Sequence, residues 1–115
     1  MTADDFRRLA LDLPEAEAGA HMGHADFRVG GKIFATLGYP DAAWAMVKLR
    51  PEQQEMLVQA EPAMFRPVKG GWGAKGATNV RLDAADEPSL RSALRMAWLN
   101  TAPKSLASRL DGAGS

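Results

Sequence analysis

Between Phe27 and Leu37 the chain reads as two extended runs joined by a pair of glycines. Phe27-Arg28-Val29 is followed by Gly30-Gly31 and then by Lys32-Ile33-Phe34-Ala35-Thr36-Leu37. Paired glycines supply the positive φ angles of a tight primed turn, so the spacing predicts a two-residue hairpin. That turn would set Val29 opposite Lys32 and Arg28 opposite Ile33. Strand parity would then put Phe27, Val29, Lys32 and Phe34 on one face, with Arg28, Ile33 and Ala35 on the other.

The flanking sequence alternates helix and strand signals. Thr2 and Asp5 resemble a capping box, and Phe6, Leu9, Ala10 and Leu13 recur on one helical face, so residues 3–13 read as a helix stopped by Pro14. A weaker strand is expected around Ala18 to Met22. Gly38-Tyr39-Pro40-Asp41 reads as a second turn, and Trp44 to Leu49 as an apolar, centrally placed strand. Pro51 opens a short helix ended by Pro62, with Leu57 and Val58 toward the core. Met64 to Val68 reads as a strand, residues 70–76 as a glycine-rich loop, and Thr78 to Leu82 as a half-buried strand alternating with Asn79 and Arg81. Asp86 caps a helix over 87–100, in which Leu90, Ala93, Leu94, Ala97 and Trp98 recur at helical spacing. Lys104 to Leu110 reads as a last helical turn. Trp44, Trp98, Phe27, Phe34 and Phe65 are expected in the core. The implied fold is α+β, a single antiparallel sheet with N- and C-terminal helices packed on one face. With 115 residues there is room for one domain, expected over 1–110, and the tail 111–115 is expected to be flexible.

Composition narrows the chemistry. The chain has no cysteine, which excludes a disulfide scaffold, a thiol nucleophile and thiolate metal ligation. Met1-Thr2-Ala3-Asp4-Asp5 lacks the basic start and apolar run of a secretory signal, so a cytoplasmic, non-membrane protein is expected. The 14 Lys+Arg balance the 14 Asp+Glu, but unevenly along the chain. Residues 1–27 hold Arg7 and Arg8 against Asp4, Asp5, Asp12, Glu15, Glu17 and Asp26, a net charge of −4. Residues 28–81 hold Arg28, Lys32, Lys48, Arg50, Arg66, Lys69, Lys75 and Arg81 against Asp41, Glu52, Glu55 and Glu61, a net charge of +4. A basic sheet and an acidic first helix follow.

Catalytic motifs are weak. Gly71 and Gly76 have P-loop spacing, but Ala77-Thr78 follows where Lys-Thr is needed, and a strand follows where a helix is needed. The serines lie outside any nucleophile-elbow pattern. His21 and His24, read on one strand, would point to opposite faces, so no metal site is expected from them. The chain is expected to be non-enzymatic, with no catalytic residue and no cofactor.

The ordered residues resemble a known family. Asp26-Phe27-Arg28-Val29-Gly30-Gly31-Lys32-Ile33-Phe34-Ala35-Thr36-Leu37 looks like the signature hairpin of the MmcQ/YjbR family. Ala45-Met46-Val47-Lys48-Leu49 with Pro51-Glu52, Phe65-Arg66-Pro67, Trp72-Gly73 with Gly76, Thr78-Asn79-Val80-Arg81-Leu82, Ala97-Trp98 and Ala102-Pro103-Lys104 follow in order. Ala74 and Ala77 depart from it, standing where members often have larger groups. The resemblance implies a CyaY/frataxin-like fold. It also implies DNA binding, by likeness of the sheet to a double wing in a phage transcription factor. Arg28, Lys32, Lys48, Trp72 and Lys75 occupy matching positions as nucleic-acid contacts. The basic reading of the sheet adds Arg66 and Lys69 as phosphate contacts. The expected state is a monomer or weak dimer. Two alternatives stay open: a protein-interaction module using the same sheet, and a metal or small-ligand binder using the acidic first helix.

Overall fold

Local signals set most of the elements. The computed structural model describes residues 1–21, 23–39 and 41–113. Helix α1 (Ala3–Leu11) starts in a capping box: Thr2 Oγ1 accepts from Asp5 N–H, and Asp5 accepts from Thr2 N–H. Strands β1 (Glu17–His21), β2 (His24–Val29), β3 (Lys32–Leu37) and β4 (Trp44–Lys48) follow, then α2 (Pro51–Ala60) and β5 (Phe65–Pro67). The glycine-rich stretch, expected to be a loop, holds a one-turn helix α3 (Gly71–Ala74). Strand β6 (Ala77–Arg81), α4 (Glu87–Thr101) and α5 (Lys104–Ala113) complete the chain, α5 running past the expected end at Leu110. The last residues of the expected tail, Gly114 and Ser115, lie outside the described residues, as does Met22.

The six strands form one antiparallel sheet in the order β1-β2-β3-β4-β6-β5. Gly30 and Gly31 take φ of 58° and 80°, and Val29 pairs with Lys32 and Arg28 with Ile33, as the glycine pair predicts. The next pair is Phe27 with Ala35, so Phe34 is an extra residue in β3. Such a bulge lets two successive side chains lie on the same side. Phe34 and Ala35 are both fully buried, which corrects the strict alternation expected from sequence.

One face of the sheet carries the core. Phe27, Ala35, Leu37, Ala45, Val47, Val80 and Phe65 meet Phe6, Leu9 and Ala10 of α1 and Leu90, Ala93, Leu94, Ala97 and Trp98 of α4. The Phe6 and Phe27 rings lie 5.8 Å apart. Each such buried large side chain contributes about 1.5–3 kcal/mol. Trp98 is fully buried, and its Nε1–H donates to Pro14 O at 2.9 Å, so the indole loses no polar bond. Helix α2 packs Leu57 and Val58 on the same core.

Two side-chain amides pin the sheet's far end. Gln54 donates to Gly73 O and Ala77 O, and Asn100 donates to Lys48 O and Gln53 Oε1. The connection around Gly73 lies so close to β5 that a methyl there would sit 1.6 Å from Val68 O. Gly73→Ala should therefore shift α3 and cost about 1–3 kcal/mol. Urea unfolding at the wild-type midpoint would show that this close approach does not matter.

The two capping carboxylates couple stability to pH. Asp5 is held below its usual pKa of 3.8 by hydrogen bonds from Thr2, and Asp86 likewise by Ser89, whose N–H it accepts at 2.8 Å. A lowered folded-state pKa stabilises above the unfolded value and loses that stability as pH falls through the folded value. The Tm gap between the wild type and an Asp5→Ala/Asp86→Ala variant should narrow between about pH 6 and about pH 2.5. A gap constant with pH would show that the caps do not depend on charge.

Candidate functional site

Among the described residues no helix layer lies over the centre of the sheet's second face, and pairing fixes what it shows. Gly19, Asp26, Thr36, Met46, Asn79 and Arg66 are successive partners across all six strands. Because of the bulge at Phe34, Ile33 joins Arg28 on this face. Of these, Asp26, Ile33, Thr36, Met46 and Asn79 floor a trough of about 650 Å³. Its walls are His24 and Tyr39 on one side and Val68, Lys69 and Trp72 on the other. The His24 and Tyr39 rings meet edge to face at 5.6 Å. Tyr39 is 61% exposed and Trp72 63%, so both rings stand open to solvent.

Asp26 is the polar anchor of the floor. It is buried, and Arg28 binds it through two hydrogen bonds, Nε to Oδ1 at 2.8 Å and Nη2 to Oδ2 at 3.0 Å. The hydrogen bond and charge of Asp26 raise the Arg28 pKa, so the guanidinium stays charged across the working range. Gly19 makes room for the pair: a Cβ there would lie 2.7 Å from Asp26 Oδ1.

Cations ring the trough. Arg28, Lys32 and Lys48 line an adjoining basin of about 450 Å³ with Ile33, Asn100 and Thr101. Lys48 Nζ lies 5.4 Å from the centre of the Trp72 ring. Trp44, expected in the core, instead stands on the open face between two guanidinium groups, Arg66 at 5.2 Å and Arg81 at 5.9 Å. The favourable cation–π geometry keeps an aromatic side chain at this solvent-facing position. Lys75 is exposed at the end of α3 and lines neither the trough nor the basin.

The helical side of the molecule differs. There Arg7 pairs with Asp4 at 3.0 Å, Arg8 with Glu87 at 3.5 Å, Arg91 with Asp12 at 3.8 Å and Arg109 with Glu15 at 2.6 Å. On the open face Lys48, Arg66 and Lys69 make no ion pair among the described residues. The acidic helix thus spends its carboxylates on arginines. Among the described residues no group of three or more His, Asp or Glu side chains could hold a metal ion. His21 and His24 are backbone partners across the β1–β2 turn, not residues of one strand as the sequence suggested. No helix among the described residues is long and apolar enough to cross a membrane.

The YjbR family model matches residues 11–100. The chain belongs to the YjbR family. Among solved structures, the Deinococcus radiodurans protein DR2400, with family-model domain DUF419, superposes with a TM-score of 0.74 at 24% identity. The match covers 96% of this chain and 88% of that one, and the likeness is one of fold. No curated protein matches the chain. In this YjbR chain the structure thus brings together Arg28, Lys32 and Lys48 in the basin, and Lys69 and Trp72 at the trough. Arg66 stands on the same face, while Lys75 is set apart. Tyr39 and Met46 were not singled out by spacing, although the alternation of Asn79 and Arg81 with Thr78, Val80 and Leu82 marks Asn79 as outward-facing.

Removing Arg28 alone leaves the buried Asp26 carboxylate without a counter-ion, which is worse than removing both charges. Arg28→Ala should lower stability more than Asp26→Asn/Arg28→Ala does. Denaturation of the two variants checks this, and equal losses would show that the pair is uncoupled.

Proposed function

We propose that this YjbR protein is a non-enzymatic DNA-binding protein that uses the open sheet face. The carrying observation is the segregation of charge. Carboxylates neutralise the helical side, while Lys48, Arg66 and Lys69 stand around the open face with aromatic rings beside them. Cations without carboxylate partners are available to displace counterions from a phosphate backbone. Arg28 adds a guanidinium held in one orientation by Asp26, a geometry suited to a phosphate oxygen. Lys32 extends the basin beside it. The titratable groups of the trough fit binding better than catalysis, since Asp26 is engaged by Arg28 and His24 lies against Tyr39.

These interactions are with phosphate and carry no sequence code by themselves. The zero net charge sets a second limit: attraction is local, and the affinity should be moderate and strongly salt-dependent. Binding to a labelled DNA is expected to weaken linearly in log affinity with log salt. A Lys48→Ala/Arg66→Ala/Lys69→Ala variant should flatten that slope by about 0.9 for each duplex phosphate it no longer neutralises. Absence of DNA binding even at low salt would overturn the reading and leave the protein-interaction module in its place.

A further inference from the structure

The open face is not shaped for phosphates alone. Its centre is a concave trough, and the cations stand at its margins. The floor carries the apolar side chains of Ile33 and Met46, with Thr36 and Asn79 as hydrogen-bonding groups among them. From β2 to β6 that floor crosses three strand spacings, roughly 14 Å. Trp72 and Tyr39, both more than half exposed, stand on opposite walls. A double helix keeps the faces of its bases stacked inside, out of reach of the two rings. An unstacked base offers a π-face to the rings, an apolar body to Ile33 and Met46, and a polar edge to Thr36 and Asn79. The basin of Arg28, Lys32 and Lys48 adjoins the trough through Ile33, so a phosphate attached to that base would meet cations.

We infer that the face takes single-stranded DNA, with unstacked bases in the trough against Trp72 and Tyr39 and a neighbouring phosphate in the adjoining basin. This rests on the DNA-binding reading and adds the form of the nucleic acid. Stacking of one base on an aromatic side chain is worth roughly tenfold in affinity.

The test uses the full chain and three labelled ligands of about 15 nucleotides at one low salt concentration: oligo-dT, an abasic strand with the same phosphates, and a duplex. Oligo-dT should bind roughly tenfold more tightly than either of the others. Trp72→Ala and Tyr39→Ala should each weaken oligo-dT binding severalfold more than they weaken the abasic strand or the duplex. Trp72→Phe, which keeps a ring, should retain the oligo-dT advantage. Both positions are exposed, and circular dichroism checks that the variants are folded. If the abasic strand or the duplex binds as tightly as oligo-dT, or if Trp72→Ala weakens all three alike, this inference fails while the phosphate-binding reading stands. If none of the three binds, both fail.

Discussion

The extra residue in β3 governs both faces of the sheet. Regular alternation back from the Phe27–Ala35 pair would turn Phe34 toward solvent and Ile33 toward α4. The bulge puts Phe34 beside Ala35 under the helices and places Ile33 over the trough. Burying one phenylalanine in this way contributes about 1.5–3 kcal/mol. The same step gives the open face an apolar centre next to Arg28, the residue that Ile33 pairs with. Core packing and site shape are therefore consequences of one local irregularity.

The signals that were legible in the sequence are those that act over a few residues. The glycine pair fixed the β2–β3 turn and its first two cross-strand partners. Thr2 with Asp5, and Asp86 alone, marked two helix starts through caps that form within a single turn. The bulge was not legible, because a two-residue period cannot show which strand carries an additional residue. Trp44 was misplaced for a related reason. Trp44-Ala45-Met46-Val47 is apolar throughout, so nothing in the run distinguishes the covered side from the open one. Its actual partners, Arg66 and Arg81, come from β5 and β6, and they come within reach only because β6 pairs with β4 and β5 lies just beyond it, so that strand order departs from chain order.

The same crossover explains why residue types in the site were legible and their arrangement was not. Arg28, Lys48, Lys69 and Trp72 could be picked out as basic or aromatic residues near turns. Their convergence depends on β6 pairing with β4, which carries the β5–β6 connection and its short helix over to Lys48. Tyr39 had no signal beyond its place in a turn.

Charge shows how fold and site constrain each other. A balance of 14 against 14 argues, taken whole, against a polyanionic partner. The folded chain separates the two signs in space. Asp4, Asp12, Glu15 and Glu87 sit among arginines on the helical side, where their ion pairs are exposed and contribute little to stability. What those pairs do accomplish is local neutrality. They cancel arginines of one surface, while Lys48, Arg66 and Lys69 on the other have no carboxylate partner among the described residues, so a chain of zero net charge can still present a positive face. On that face the aromatic rings satisfy the cations without neutralising them: a ring beside Lys48 or Arg66 holds the side chain in place, while a carboxylate would have removed its charge from the field. Asp83 and Asp26 are exceptions: Asp83 pairs with Arg81 at 2.8 Å, and Asp26 is buried beneath Arg28, so its role at the surface is to orient a guanidinium.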